Sequence, residues 1–403
     1  MKTSITLAHL ESDRGKEANR ILRNCVHCGF CNATCPTYQL TGDELDGPRG
    51  RIYLIKQVLE GKTPSKLTQT HLDRCLTCRN CESTCPSGVD YGQLLDIGRA
   101  IVSEQSRRSF AERIKRFAVR KVFLTRPLFH TAIAVAQMTR RLLPTAIRQK
   151  VPPKPERRLD WPQRDHARKI ILLSGCVQPA LQPNIDRAAA IVLDRLGIQT
   201  LRIPAQGCCG GLSHHLDAHD EALAYIKANI EHWWPYIENN AVEAIISTAT
   251  GCAVTLKEYG RMLANDPAYR DKASKISASV RDLSEYVADQ LPPQTSTGMI
   301  EQKIAFHPPC TLQHGQQIRD KVETILRNSG RALVTFNEAH LCCGSAGTYS
   351  ILQKSMADQL RQRKLHNIEA AEPDMIVTAN IGCLLHLQSG TQIPVRHWIE
   401  LLV

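Results

Sequence analysis

From residue 52 the apolar side chains Ile52, Ile55, Val58 and Leu59 recur at intervals of three and four, which gathers them on one face of a helix. Pro48 suits the first turn of that helix, and Gly61 follows its last. Past residue 169 the period changes. Short apolar runs at Ile170–Leu173, Leu201–Ile203 and Ile245–Ser247 alternate with helical stretches at Asp186–Leu196 and Asp220–Ile230, a strand–helix–strand–helix–strand order. The same order returns in the last hundred residues. The pattern predicts an α-helical N-terminal domain followed by two tandem α/β (βαβαβ) units.

Cysteine spacing sharpens the repeat. Cys176 is followed after 31 residues by Cys208-Cys209-Gly210, and Cys310 after 31 residues by Cys342-Cys343-Gly344. Each unit then closes on an apolar run and Gly-Cys, at Cys252 and at Cys383. In a parallel sheet the carboxyl ends of the strands share one edge, where ligands collect. Two four-thiolate sites are therefore expected: Cys176, Cys208, Cys209 and Cys252, then Cys310, Cys342, Cys343 and Cys383. Four thiolates suit a further iron–sulfur cluster, a zinc ion or a cycling vicinal thiol pair.

The other eight cysteines carry the sharpest chemistry. Cys25, Cys28, Cys31 and Cys35-Pro36 read C-x2-C-x2-C-x3-C-P, and Cys75, Cys78, Cys81 and Cys85-Pro86 repeat it. This run marks proteins with two [4Fe–4S] clusters, in which the fourth cysteine of each run ligates the other cluster. Cys25, Cys28, Cys31 and Cys85 are thus expected on one cluster, and Cys75, Cys78, Cys81 and Cys35 on its neighbour. Zinc sites more often use separated pairs of ligands. Asn32, Asn80, Thr34 and Thr84 are candidates for hydrogen bonds to sulfur or for ordinary loop polarity. The loop Gly42–Arg51 suits helix capping.

These motifs divide the chain into a ferredoxin-like domain at 1–106, a connector at 107–168, and cysteine-rich units at 169–293 and 302–403. The connector is basic, then proline-rich at Pro152, Pro153, Pro155 and Pro162. Residues 107–169 hold eighteen Lys or Arg against four Asp or Glu, so this segment accounts for the whole formal net charge of +12. Its apolar positions, among them Phe117, Val122, Phe123, Leu128, Phe129, Ile133, Leu142 and Leu143, suit either an amphipathic helix on an anionic bilayer or packing on a neighbouring domain. Nucleic-acid binding has no recognition helix to support it. No run approaches a transmembrane span, and no secretory signal is apparent, so a cytoplasmic protein with reduced thiols is expected.

Two such runs followed by two Cys-Cys-Gly units resemble the iron–sulfur subunit of bacterial glycolate oxidase (glycolate dehydrogenase), and more distantly that of anaerobic glycerol-3-phosphate dehydrogenase. The likeness runs through Cys25-Val-His-Cys-Gly-Phe-Cys, Gly42 to Lys56, Cys75-Leu-Thr-Cys-Arg-Asn-Cys-Glu, Phe306 to His314 and His340-Leu-Cys-Cys-Gly-Ser-Ala-Gly-Thr-Tyr. It implies an electron-transfer subunit. FAD-dependent partner subunits oxidise glycolate, or D-lactate, and electrons pass on toward membrane quinone, the subunit lying peripherally on the cytoplasmic face of the inner membrane. In agreement, no G-x-G-x-x-G follows a strand here. The C-terminal units also resemble the cysteine-rich domains of heterodisulfide reductases, which implies a thiol–disulfide enzyme as the alternative. Those domains carry a further cysteine where this chain has Thr255 and His386. His307, His340 and His386 neighbour cysteines, where a histidine more often serves as a hydrogen-bonding support than as a ligand, and of the three only His386 is a candidate fifth ligand.

Overall fold

The helix expected after residue 48 forms over Pro48–Leu59, with Pro48 in its first turn and Gly61, at φ +95°, just beyond its end. It belongs to a group of helices that includes Asp13–Asn24, Lys66–Asp73 and Tyr91–Gln105. Each has a chemical start signal. Ser12 and Asp90 accept from Gly15 N and Gln93 N, and Ser65 forms a reciprocal capping box with Thr68. Ala18, Ile21, Leu22, Ile52, Ile55, Leu59, Leu72, Leu94 and Leu95 fill the core between them. Gly98 permits the closest approach, because a Cβ there would sit 2.5 Å from Ile55 Cγ1.

The computed structural model describes the chain apart from residues 145–147, 149–150, 155–156 and 292–299. Pro155 of the expected linker and the expected end of the first cysteine-rich unit at residue 293 lie outside the described residues. Two compact units emerge: Met1–Phe117 with His340–Lys364, and Ala118–Ala339 with Leu365–Val403. The helical unit thus includes a segment from late in the chain. Tyr349 Oη donates to Arg74 O at 3.1 Å, and Asn80 Nδ2 donates to Thr34 O at 3.1 Å and His340 O at 3.4 Å.

The second unit holds two four-stranded parallel sheets. The first comprises β1 (Arg168–Leu173), β2 (Ile198–Leu201), β3 (Ala244–Ser247) and β4 (Val280–Asp282), in the order β2-β1-β3-β4. The second comprises β5 (Ile300–His307), β6 (Arg331–Val334), β7 (Met375–Thr378) and β8 (Val395–His397), in the order β6-β5-β7-β8. The tandem α/β repeat is therefore present, with one strand more per repeat than the sequence pattern suggests. β4 and β8 are only three residues long, too short to show a period. β2 begins at Ile198, ahead of the expected Leu201, because its register pairs Arg168 with Ile198 and Ile171 with Leu201. Ile170–Leu173 reads as an unbroken apolar run because all four residues are buried.

The connector forms helices Phe110–Leu124 and Arg126–Met138. Leu124 and Phe129 are buried, and Leu124 joins the core of the first sheet. Several of its cations are engaged within their own unit: Arg116 with Asp73 at 2.9 Å, Arg120 with Glu221 at 3.1 Å, and Arg126 Nη2 donating to Gly175 O at 2.7 Å.

Candidate iron–sulfur centres

The two cysteine runs fold alike. In each, the residues two and four beyond the first cysteine take left-handed backbone: His27 and Gly29 after Cys25, Thr77 and Arg79 after Cys75. Three non-glycine residues in that region represent stored strain, roughly 1–3 kcal/mol each, and such strain persists only where the surroundings impose it. A short helix follows in each run, Phe30–Ala33 and Asn80–Thr84, and delivers the fourth cysteine.

These loops wall two cavities. The first is lined by Cys25, Cys28, Cys31 and Cys85, with Pro48, Arg49, Ile52 and Val89 around them. The second is lined by Cys35, Cys75, Cys78 and Cys81, with Thr37, Arg51 and Arg79. Pro48, Cys81 and Tyr91 line both, so the cavities abut.

Sulfur spacing tests what fits. Tetrahedral zinc with bonds of about 2.3 Å requires sulfurs about 3.8 Å apart. Among the described residues, no three of these eight sulfurs lie mutually within 4.8 Å. The donor set is too wide for one ion and suits a larger multi-iron group. Burial, then the neighbouring Cys25, pushes the Cys31 thiol up to about 11, and burial beside Cys78 and Cys75 pushes Cys81 well above the usual thiol range. Burial and neighbouring sulfurs favour the neutral thiol here, so a metal group bound by these cysteines would have to displace their protons.

Hydrogen bonding to sulfur differs from expectation. Asn32 Nδ2 donates to Glu44 Oε2 at 2.8 Å, Asn80 serves backbone carbonyls, Thr34 donates to Cys31 O, and Thr84 donates to Asn80 O. As donors these four serve carbonyls and a carboxylate, while Asn32 Oδ1 lies 4.0 Å from Cys31 Sγ. The groups at sulfur are instead Tyr91, whose hydroxyl donates to Cys75 Sγ at 3.6 Å, the Thr77 N–H, which donates to the same atom at 3.4 Å, and Thr37, whose Oγ1 lies 3.3 Å from Cys35 Sγ. Tyr91 reaches Cys75 across sixteen residues, a contact no local spacing announces, whereas Thr37 lies only two residues beyond Cys35.

The Gly42–Arg51 loop does cap locally, with Asp43 accepting from Leu45 N at 2.9 Å, but it also builds the cavity walls. Glu44 takes Arg49 in a two-bond fork, at 2.6 and 3.1 Å. Asp46, fully buried, accepts from Arg74 Nη1 at 2.9 Å, contacts His71 Nδ1 at 2.9 Å and sits 3.6 Å from Arg51 Nη2. Arg51 is itself fully buried. Its Nε donates to His71 O at 2.7 Å and its Nη1 to Thr37 Oγ1 at 3.1 Å, while Nη2 makes no hydrogen bond. Burial favours losing the proton, but Cys75, Tyr91, Cys35 and Asp46 outweigh it and raise the pKa.

In the first cysteine-rich repeat, Cys176, Cys208, Cys209 and Cys252 form a chain of sulfur contacts in that order. Cys208 is held well below the usual thiol range by bonds from Cys176 and Cys209, with help from the Gly210 and Leu212 N–H groups. Asn229 clamps the turn, accepting from Gly207 N and donating to Cys208 O, both at 2.8 Å. Thr255, at the position of the further cysteine, donates to Gly251 O at 3.3 Å. In the second repeat Cys310 and Cys383 belong to the sheet unit, and Cys342 and Cys343 to the segment that clusters with the helical unit. His307, His340 and His386 flank these cysteines in sequence, and His307 is fully buried.

Comparison with known proteins places these features. A 4Fe-4S dicluster domain matches residues 21–89, and a cysteine-rich domain matches residues 170–257 and 304–388. The glycolate oxidase iron-sulfur subunit of Escherichia coli is 50% identical over 402 residues, spanning 100% of this chain and 98% of that protein. A probable glycolate oxidase iron-sulfur subunit of Bacillus subtilis is 30% identical, over 92% of this chain and 89% of that protein. Lactate utilization protein A of Anoxybacillus flavithermus is 26% identical over 58% of this chain. The crystal structure of a hypothetical protein from Helicobacter pylori matches 98% of this chain and 72% of its own at TM-score 0.58 and 11% identity, a likeness of fold alone. With its dicluster domain, its tandem cysteine-rich repeats and full-length identity at this level, the chain belongs to the family of glycolate oxidase iron–sulfur subunits.

Proposed function

We propose that this chain relays electrons from FAD-dependent subunits that oxidise glycolate, and also D-lactate, to membrane quinone. Two [4Fe–4S] clusters supply the one-electron carriers. Cys25, Cys28, Cys31 and Cys85 would hold one, and Cys75, Cys78, Cys81 and Cys35 the other. One observation carries this reading: Cys25, Cys28, Cys31 and Cys85 wall one cavity, Cys75, Cys78, Cys81 and Cys35 wall the abutting one, and Cys81 lines both. Iron and sulfide analysis with EPR on anaerobically purified protein tests it. About eight iron atoms from these two clusters, with more if a C-terminal repeat also holds iron, and two interacting signals are expected. A colourless, zinc-loaded or dithionite-silent chain would overturn it. Glycolate should reduce the clusters only when the flavoprotein is present.

Cys176, Cys208, Cys209 and Cys252 of the first C-terminal repeat would form a further thiolate site, for iron–sulfur or zinc. The thiol–disulfide alternative needs a nucleophile that a substrate can reach. Cys208 and Cys209 are only 4% and 5% exposed, which argues against it.

Peripheral attachment to the cytoplasmic face of an anionic membrane completes the proposal. Among the described residues no helix is long and apolar enough to cross a membrane. The connector nonetheless leaves Phe110, Ile114, Leu128, Val135, Met138 and Leu142 exposed among its arginines. Flotation of the assembled complex with vesicles containing anionic lipid should be salt-sensitive, and absence of binding at low salt would refute attachment.

A further inference from the structure

The two cavities differ in one respect that the cysteine pattern does not convey. The first has Arg49 on its wall and the second has Arg51 and Arg79, and Arg49 and Arg51 are in opposite electrostatic situations. Arg49, at the first cavity, is partly solvated and already forked onto the Glu44 carboxylate. Arg51, at the second, is sealed from water, and among the described residues its Nη2 makes no hydrogen bond, with Asp46 Oδ1 3.6 Å away. A buried guanidinium with an unused donor is expensive unless an anionic acceptor faces it. Asp46, 3.6 Å from Nη2, is already divided between Arg74 and His71. Arg51 lines the second cavity together with Cys35, Cys75, Cys78 and Cys81, which makes the sulfur-ligated group expected there the candidate acceptor.

We propose that Arg51 sets the order of potentials in this chain: its Nη2 donates to a sulfur of the cluster held by Cys35, Cys75, Cys78 and Cys81, and its buried charge makes that cluster the more readily reduced of the two. The inference rests on the cluster assignment proposed above. A fixed positive charge stabilises the state that carries one more electron, and hydrogen bonds to sulfur act in the same sense. Tyr91 adds such a bond at Cys75, which strengthens the bias. Solvent at the exposed Cys28 favours reduction of the first cluster instead, but water screens a charge that the Arg51 site leaves unscreened. With both clusters bound, one electron would leave the first, oxidising it, and reduce the second with no bond made or broken, which would give the chain a direction. Arg51 acts as a positioning and tuning residue.

EPR-monitored redox titration of the anaerobic holoprotein tests the proposal. Wild type should show two waves, and the wave lost in Cys35→Ser should be the higher. Arg51→Gln should move that wave to lower potential and leave the other in place, with Arg51→Lys falling between. Iron and sulfide content measured on the same samples separates the premises: a variant that keeps both clusters but shifts neither wave overturns the role of Arg51 and leaves the cluster assignment intact. If Arg51→Gln does not fold, pulsed EPR on an Arg79→Lys chain labelled with guanidino-15N arginine gives a second measurement. That background leaves Arg51 as the arginine lining the second cavity among the described residues. Nitrogen-15 coupling to the higher-potential cluster is expected, and its absence would overturn the proposal.

Discussion

The two cluster cavities are built from the same sequence run, yet their walls obey different physics. The first is closed by Pro48, Ile52 and Val89, and its charged residues, Glu44 and Arg49, pair at the surface with side chains 40% and 35% exposed. The second rests on a buried lattice in which Asp46 gathers Arg51, Arg74 and His71, and Thr37 links Arg51 to the backbone at Asp46 O. A repeated ligand motif thus fixes what is bound, whereas the non-repeated residues between the runs fix the environment of each bound group. Arg49 and Arg51 are two positions apart, and that offset alone places one toward solvent and the other inside.

The largest effects should come from the ligands that cross between the cavities. Cys35→Ser should abolish the second cluster and spare the first, even though Cys35 belongs to the first run, and Cys85→Ser should do the reverse. Each variant should lose about four iron atoms per chain. Loss of the first cluster's EPR signal in Cys35→Ser would mean that each run closes its own cluster, and the comparison of walls would have to be redrawn.

Next in size is the lattice itself. Asp46→Ala removes the carboxylate shared by two arginines and His71, and leaving buried charges uncompensated costs about 3–5 kcal/mol. Glu44→Ala removes the matching group at the first cavity, where an exposed pair is worth at most about 1 kcal/mol. Denaturation midpoints of the anaerobic holoproteins measure both. Equal losses would show that the second wall is no more tightly organised than the first.

This asymmetry marks how much of the molecule could be read from its sequence. Ligand spacing is local, so the eight N-terminal cysteines, the helix at Pro48–Leu59 and the duplicated strand–helix order are all legible. Three-residue strands such as Val280–Asp282 lack a period to detect. Asn32, Asn80, Thr34 and Thr84 look like sulfur donors because they neighbour cysteines, but nearby carbonyls and Glu44 reach them first. Tyr91 meets Cys75 across sixteen residues, and Tyr349 meets Arg74 across 275, contacts set by packing and not by spacing. Nor does any pattern foretell that His340–Lys364 clusters with the helical unit.

A smaller loss should follow at the link between lattice and cluster. Thr37→Val deletes the acceptor of Arg51 Nη1 and the donor to Asp46 O, leaving a buried N–H and a carbonyl unsatisfied for about 1–3 kcal/mol. Because Thr37 also lies beside Cys35 Sγ, the same variant should perturb the EPR line shape of the second cluster alone.

The smallest effect belongs to the first wall and depends on pH. The Arg49 hydrogen bond, assisted by Asn32, holds the Glu44 carboxyl below the ordinary carboxylate range against the opposing effect of burial. A depressed folded-state value means that Glu44 contributes its stabilisation above the unfolded pKa, about 4.3, and loses it as pH falls through the lower folded value. Wild type and Glu44→Gln should therefore differ slightly in unfolding midpoint near neutrality, by less at high salt, and converge in acid. A difference that survives well below pH 3 would show that Glu44 holds Asn32 and the first cavity by shape and not by charge, making the two walls more alike than their burial suggests.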